Sequence, residues 1–180
     1  IFYFDDKSVL YFNDLRRFGY LKEYPTDSVM TEKELRKIGV EPFSKDFTVE
    51  YLKNRANKVP NRKIKQFITD QEIIAGVGNI YVDESLFMAR ISPLRKVIDI
   101  KKNEWTKILK SIVDALKLGI KYGGSSEETY VDAFGKQGEM NKHVKVYRKT
   151  GNKCPNNCGG EIKRIVSGGR GTHYCPKCQK

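Results

Sequence analysis

The chain has 180 residues, of which 39% are hydrophobic and 31% charged, with 34 Lys/Arg against 22 Asp/Glu and a formal net charge of +12. That balance excludes a disordered or fibrous chain and leaves room for one or two small domains with cores of their own. No apolar run approaches membrane-spanning length.

The charge is uneven. Residues 1–50 carry a net −2 and residues 51–180 a net +14. A polyanion is therefore the expected partner, held by the C-terminal 130 residues. The alternative is a basic surface that serves solubility alone. The chain opens on Ile1-Phe-Tyr-Phe4, which lacks Met and reads as the middle of a strand. The expectation is a fragment of a longer protein, in which the absence of a signal peptide carries no information.

Ile1–Phe4 and Val9–Phe12 are aromatic and β-branched, and Asp5-Asp6-Lys7-Ser8 lies between them. This is a β-hairpin pattern. A lone hairpin is marginal in water, so its apolar face is expected to belong against a further sheet. Asn13–Gly19 follows as a turn carrying Arg16, Arg17 and Phe18. Phe18 either tucks into the core or acts as a wedge between base steps. Pro25–Phe47 is turn-rich, and Thr31-Glu-Lys-Glu34 could cap a short helix over Leu35–Ile38.

Helices are expected over Thr48–Asn57, Arg62–Thr69, Ile80–Ala89 and Asp99–Lys121. In the last, Trp105, Ile108, Leu109, Ile112, Val113, Leu116 and Ile120 form one apolar face, which reads as core. Between the second and third helices lies Gly76-Val77-Gly78-Asn79. Two glycines let the backbone turn sharply and approach a bulky partner. Asn79 is expected to cap the next helix, whose free N–H groups could seat an anion. Helix, glycine turn, helix is a DNA-binding geometry in a basic protein, and equally a structural corner. Thr129–Asn141 is polar and contains Gly135 and Gly138, so a mobile loop is expected there.

The tail, Lys142–Lys180, has 10 Lys/Arg and one acidic residue. It holds Cys154, Cys158, Cys175 and Cys178, in two close pairs with 16 residues between them. Two knuckles joined by a β-hairpin suit one structural Zn²⁺, which would hold a lobe too small for a core of its own. A disulfide reading gives no reason for two close pairs. His173 is a possible ligand, better read as a structural strand residue. Ser167–Thr172 reads as a flexible hairpin tip bearing Arg170.

Arg16-Arg-Phe-Gly19, Gly76-Val-Gly-Asn-Ile-Tyr81 and Tyr174-Cys-Pro-Lys-Cys-Gln-Lys180 occur in this order. Together they resemble the formamidopyrimidine-DNA glycosylase family, bacterial base-excision enzymes for oxidised purines. The resemblance spans essentially the whole chain.

It implies an α+β fragment. Residues 1–24 would be a β-hairpin remnant of the N-terminal catalytic domain, and 25–47 a linker. Residues 48–141 would be a helix–two-turn–helix DNA-binding domain with a base-capping loop, and 142–180 a zinc finger. It implies that Arg16 and Phe18 fill the gap left by a flipped nucleotide. Lys65, Asn79 and Arg170 would meet phosphates with Tyr147 beside them, and Thr129–Asn141 would cover the everted base. The partner implied is double-stranded DNA with an oxidised purine or abasic site. The protein implied is a monomer in the bacterial cytoplasm, associated with the nucleoid.

Two features depart from the family pattern. The Pro-Glu start that supplies the nucleophilic amine is absent, and no lysine sits in an evident apolar pocket that would make it a substitute. The chain alone is thus expected to bind DNA without cutting it. The first knuckle has three residues between its cysteines where the family usually has two, so it must bulge. The rival readings are a non-catalytic DNA-binding module and an RNA-binding zinc-ribbon protein.

Overall fold

The computed structural model describes residues 1–14, 17–126, 131–132 and 134–180. Arg16 and part of the 129–141 loop lie outside these. The chain divides into two compact units, Ile1–Arg36 and Lys37–Lys180.

The first unit is an antiparallel hairpin followed by short helical turns. Strands β1 (Phe2–Tyr3) and β2 (Val9–Leu10) pair Phe2 with Leu10 and Tyr3 with Val9. Asp6 accepts a bond from the Ser8 N–H, and Lys7 takes a left-handed conformation to close the turn. Helix α1 (Lys33–Arg36) starts two residues earlier than the sequence pattern suggests. Phe18 is 77% exposed, as are Tyr3 at 78% and Tyr11 at 72% in the hairpin before it.

The second unit is built on four helices: α2 (Val49–Ala56), α3 (Ile64–Ile68), α4 (Asn79–Ala89) and α5 (Lys102–Lys121). All four fall where the apolar periodicity places them. Thr48 caps α2 by accepting the Tyr51 N–H. Phe67 of α3 meets the Trp105 ring edge-on, with centroids 5.8 Å apart, at the centre of the core.

The apolar face of α5 differs from expectation at its end. Ile120 is 70% exposed, while Ala115 and Gly119 are buried. Gly119 continues the line of Ile108, Ile112 and Ala115, and Ile120 lies about 100° further round the helix. A Cβ on Gly119 would stand 2.5 Å from the Tyr81 ring, so glycine here lets α4 and α5 close on each other.

The tail forms a second antiparallel hairpin, β3 (Lys163–Ser167) with β4 (Arg170–Tyr174), in register from Lys163–Tyr174 to Ser167–Arg170. Only Gly168 and Gly169 make the turn, both at positive φ. Arg170 is therefore the first residue of a paired strand, where a flexible tip had been expected. Overall this is a small α+β architecture of two hairpins and a helical core.

Candidate nucleic-acid interface and metal centre

The glycine turn is fixed by one amide. Gln71 accepts the Gly76 N–H through Oε1 at 2.8 Å and donates through Nε2 to the Val77 carbonyl at 3.1 Å. Gly76 sits at φ +73°, which an L side chain rarely adopts. Gly78, at an ordinary φ, is the residue that caps α4. Asn79 is thus the first helical residue and not the cap. Its amide instead reaches across the interface, one Nδ2 hydrogen donating to the Gly171 carbonyl of β4 at 3.1 Å.

That contact begins a seam between α4 and the finger. Two adjacent, buried carboxylates on α4 continue it. Asp83 accepts the His173 N–H at 2.8 Å, and the His173 ring nitrogen Nδ1 lies 3.3 Å from the same oxygen. Its other oxygen pairs with Lys65 Nζ at 2.7 Å, and neither side chain is more than 2% exposed. Glu84 accepts three consecutive backbone N–H groups, those of Lys145, Val146 and Tyr147, at 2.7 to 2.9 Å. Burial raises the Glu84 pKa despite these three bonds, which act to lower it.

Lys65 corrects one expectation, that no lysine is held in a pocket that lowers its pKa. It lies in a buried pocket, and burial lowers its pKa against the opposing pull of Asp83. Its ammonium meets Asp83, the Gly171 carbonyl at 2.9 Å and Thr172 Oγ1 at 2.8 Å. Two of these contacts are hydrogen bonds to the finger, and the third is an ion pair with Asp83. Lys65 therefore holds β4 against α3 and α4, and it also lines the cleft that contains Arg170.

Asn79, Tyr147, Arg148, Arg164 and His173 line one cleft of 420 Å³. Arg170 lines its neighbour, with Arg62 and Gln66. The Tyr147 ring meets His173 edge-on, with centroids 5.0 Å apart. Two arginines here were missed in the sequence. Arg164 lies opposite His173 in the hairpin, and Arg148 stands 5.8 Å from the Tyr147 ring. The register that places Arg164 beside the site follows from the two-glycine turn, a usable signal. Nothing in the sequence marks Gln71, Asp83 or Glu84.

The four cysteines converge. Their sulfurs all lie within 4.8 Å of one another, with Cys154–Cys178 at 3.7 Å and Cys158–Cys175 at 3.6 Å. Four thiolates about 2.3 Å from one Zn²⁺ in a tetrahedron stand roughly 3.8 Å apart, so the set fits a structural zinc ion. The longer first knuckle does bulge, through Asn157 at φ +51° and Gly159 at φ +70°. His173 faces Asp83 and not the sulfurs.

Comparison with known proteins agrees with this geometry. Residues 38–131 match the formamidopyrimidine-DNA glycosylase H2TH domain, and residues 151–180 match the zinc finger found in FPG and IleRS. The formamidopyrimidine-DNA glycosylase of Cytobacillus firmus is 43% identical over 179 residues, 99% of this chain and 65% of that protein. That of Bacillus licheniformis is 40% identical over 180 residues, again 65% of its length. The chain thus spans just under two thirds of these relatives.

Among solved structures, the Lactococcus lactis Fpg in complex with abasic-site DNA superposes with a TM-score of 0.77 at 41% identity, covering 86% of this chain and 56% of that one. MutM in complex with DNA containing carbocyclic 8-oxo-G gives 0.76 at 39%, covering 86% and 55%. With both family regions matched in order, and with the turn and the cysteine site built as described, the chain belongs to the formamidopyrimidine-DNA glycosylase family, corresponding to its C-terminal part.

Proposed function

We propose that these 180 residues are the DNA-gripping part of a bifunctional DNA glycosylase/AP lyase that removes oxidised purines. The protein would act as a monomer on chromosomal DNA in the bacterial cytoplasm. The observation that carries this reading is the shared cleft in which the start of α4 and the finger hairpin present Asn79, Tyr147 and Arg164, with Arg170 alongside. The open end of α4 supplies N–H groups and a positive dipole, and the arginines supply charge. Gly78 supports close approach of a backbone, because apart from its chain neighbours no protein atom lies within 4 Å of where its Cβ would be.

Each residue then has a physical role. Asn79 and Arg170 meet phosphates, which fixes register without reading sequence. Lys65 serves as a positioning group behind them. Arg16 and Phe18 are assigned to the gap left when a damaged base leaves the stack, a step such enzymes require. The 129–141 loop is assigned to the everted base. Covalent chemistry would need an amine set against the sugar carbon, where an iminium can act as an electron sink. None of these 180 residues is assigned that task, and the engaged ammonium of Lys65 does not offer it.

The test is borohydride trapping on abasic and oxidised-guanine duplexes beside a binding assay, with structured RNA as competitor. A shifted DNA complex without covalent adduct or strand cleavage is expected. A robust adduct formed by this chain alone, or preferential displacement by RNA, would overturn the reading.

A further inference from the structure

Where α2 passes the start of α5, the surface opens into two adjoining clefts of 610 and 580 Å³. Lys53 and Lys102 line both, so the two form one continuous groove. Its floor is apolar. Val97, Ile100 and Trp105 of the core show an edge to it, and Ile98 stands 66% exposed at its wall. Its rim is cationic, with Lys53, Lys101 and Lys102. Among the residues lining either cleft there is no carboxylate, and none of them lines the clefts around Asn79 or Arg170.

Two of the rim lysines stand where a helix accommodates them least. Lys101 and Lys102 are the cap and first residue of α5, at the positive end of its dipole, where acidic side chains are favoured and cations are not. Glu104, the acidic residue of that first turn, is turned into the Arg95 guanidinium through two bonds of 2.7 Å and onto the Lys101 N–H. Its charge is felt by Lys101, but among the described residues no ion pair within 4.0 Å joins Lys53, Lys101 or Lys102 to a carboxylate.

We propose that this groove docks an acidic peptide segment of a partner protein, anchored by one or two large apolar side chains. The apolar anchors would fill the floor over Trp105 and Ile98. Flanking carboxylates would meet the rim lysines and the N-terminal field of α5. Such anchoring of a few apolar side chains within a charged rim is how peptide grooves gain both affinity and orientation. A nucleic-acid backbone fits less well, since its phosphates would reach the lysines and leave the apolar floor wet.

The test is fluorescence anisotropy with the full 180-residue chain and a labelled peptide, Glu-Asp-Phe-Asp-Glu-Leu-Asp-Glu, at low salt. Saturable binding is expected, with Kd on the order of 10–100 μM for so small a contact. Replacing the peptide's Phe and Leu by Ser should weaken it by about tenfold or more, as should Lys53→Glu combined with Lys102→Glu, or Ile98→Asp alone. These variants should keep their affinity for an abasic duplex, and unlabelled duplex should not displace the peptide. Equal binding of the serine peptide, indifference to the groove variants, absence of saturation, or displacement by the duplex would each overturn the proposal.

Discussion

Between Phe47 and Ile112, eighteen buried apolar residues close the helical core. The finger has five, of which two are cysteines and one, Phe87, comes from α4. The first region can be held by apolar burial alone, at about 1.5–3 kcal/mol for each large side chain removed from water. The second cannot, and its fold rests on metal ligation plus what α4 lends it. The two regions are joined by polar contacts that are themselves buried: Asp83 to Lys65 and His173, and Glu84 to three backbone N–H groups. The cleft lined by Asn79, Tyr147 and Arg164 lies on this join, so the position of Arg170 and Tyr147 relative to Asn79 depends on both kinds of stabilisation.

The sharpest way to break the comparison is to take the metal away. Structural zinc sites of this type contribute about 10–16 kcal/mol of apparent binding free energy at neutral pH. Metal analysis should give one zinc per chain. Chelation, or Cys175→Ser, should make the segment beyond about Tyr147 protease-sensitive while far-UV helical signal from α2 to α5 persists. An ordered, protease-resistant tail without metal would contradict this division.

Next in size is the join itself. Asp83→Leu removes one partner of a buried pair and leaves Lys65 uncompensated, a change that costs about 3–5 kcal/mol. Adding Lys65→Met should recover most of that loss, because an apolar pair needs no compensation. The measurement is a set of denaturant melts on the two single variants and the double. If the losses simply add, the two side chains are not coupled.

The smallest effect should fall on the helical core. Arg95 holds the Glu104 carboxyl below its ordinary value of 4.5. A carboxylate whose folded pKa is depressed adds stability above its unfolded pKa, and that stability is lost as pH falls through the folded value. Glu104→Gln should therefore cost about 1–2 kcal/mol at pH 7, since the pair is charge-assisted and only partly exposed. The difference from the parent chain should shrink below about pH 4. Zinc content should not change. A pH-independent difference would assign the effect to packing.

The helices were legible because their apolar residues recur at helical spacing, and the zinc site because metal chemistry restricts ligand spacing. The join was not legible. Asp83 and Glu84 sit within an apolar run of α4, where a charged residue ordinarily reads as a solvent-facing position. Only the folded chain brings residues about ninety positions apart, such as Asp83 and His173, to one oxygen. Lys65 misled for the same reason. Its neighbours Arg62, Lys63 and Gln66 suggest a solvated basic face, yet the pitch of α3 turns its side chain inward. Asn79 was placed one residue off, because glycine at 78 could take the capping conformation and freed the asparagine to reach across to β4.

The claim that the cleft at the α4–finger join grips a DNA backbone is tested most directly by the salt dependence of affinity for an abasic-site duplex. The parent chain, Arg170→Ala and Asn79→Ala should be compared across a salt series. Arg170→Ala should weaken binding to abasic and intact duplexes alike and reduce the slope of log K against log salt by about one unit. Asn79→Ala should weaken binding with almost no change in slope, because it carries no charge. An unchanged slope for Arg170→Ala, together with an altered preference between duplexes, would contradict the account.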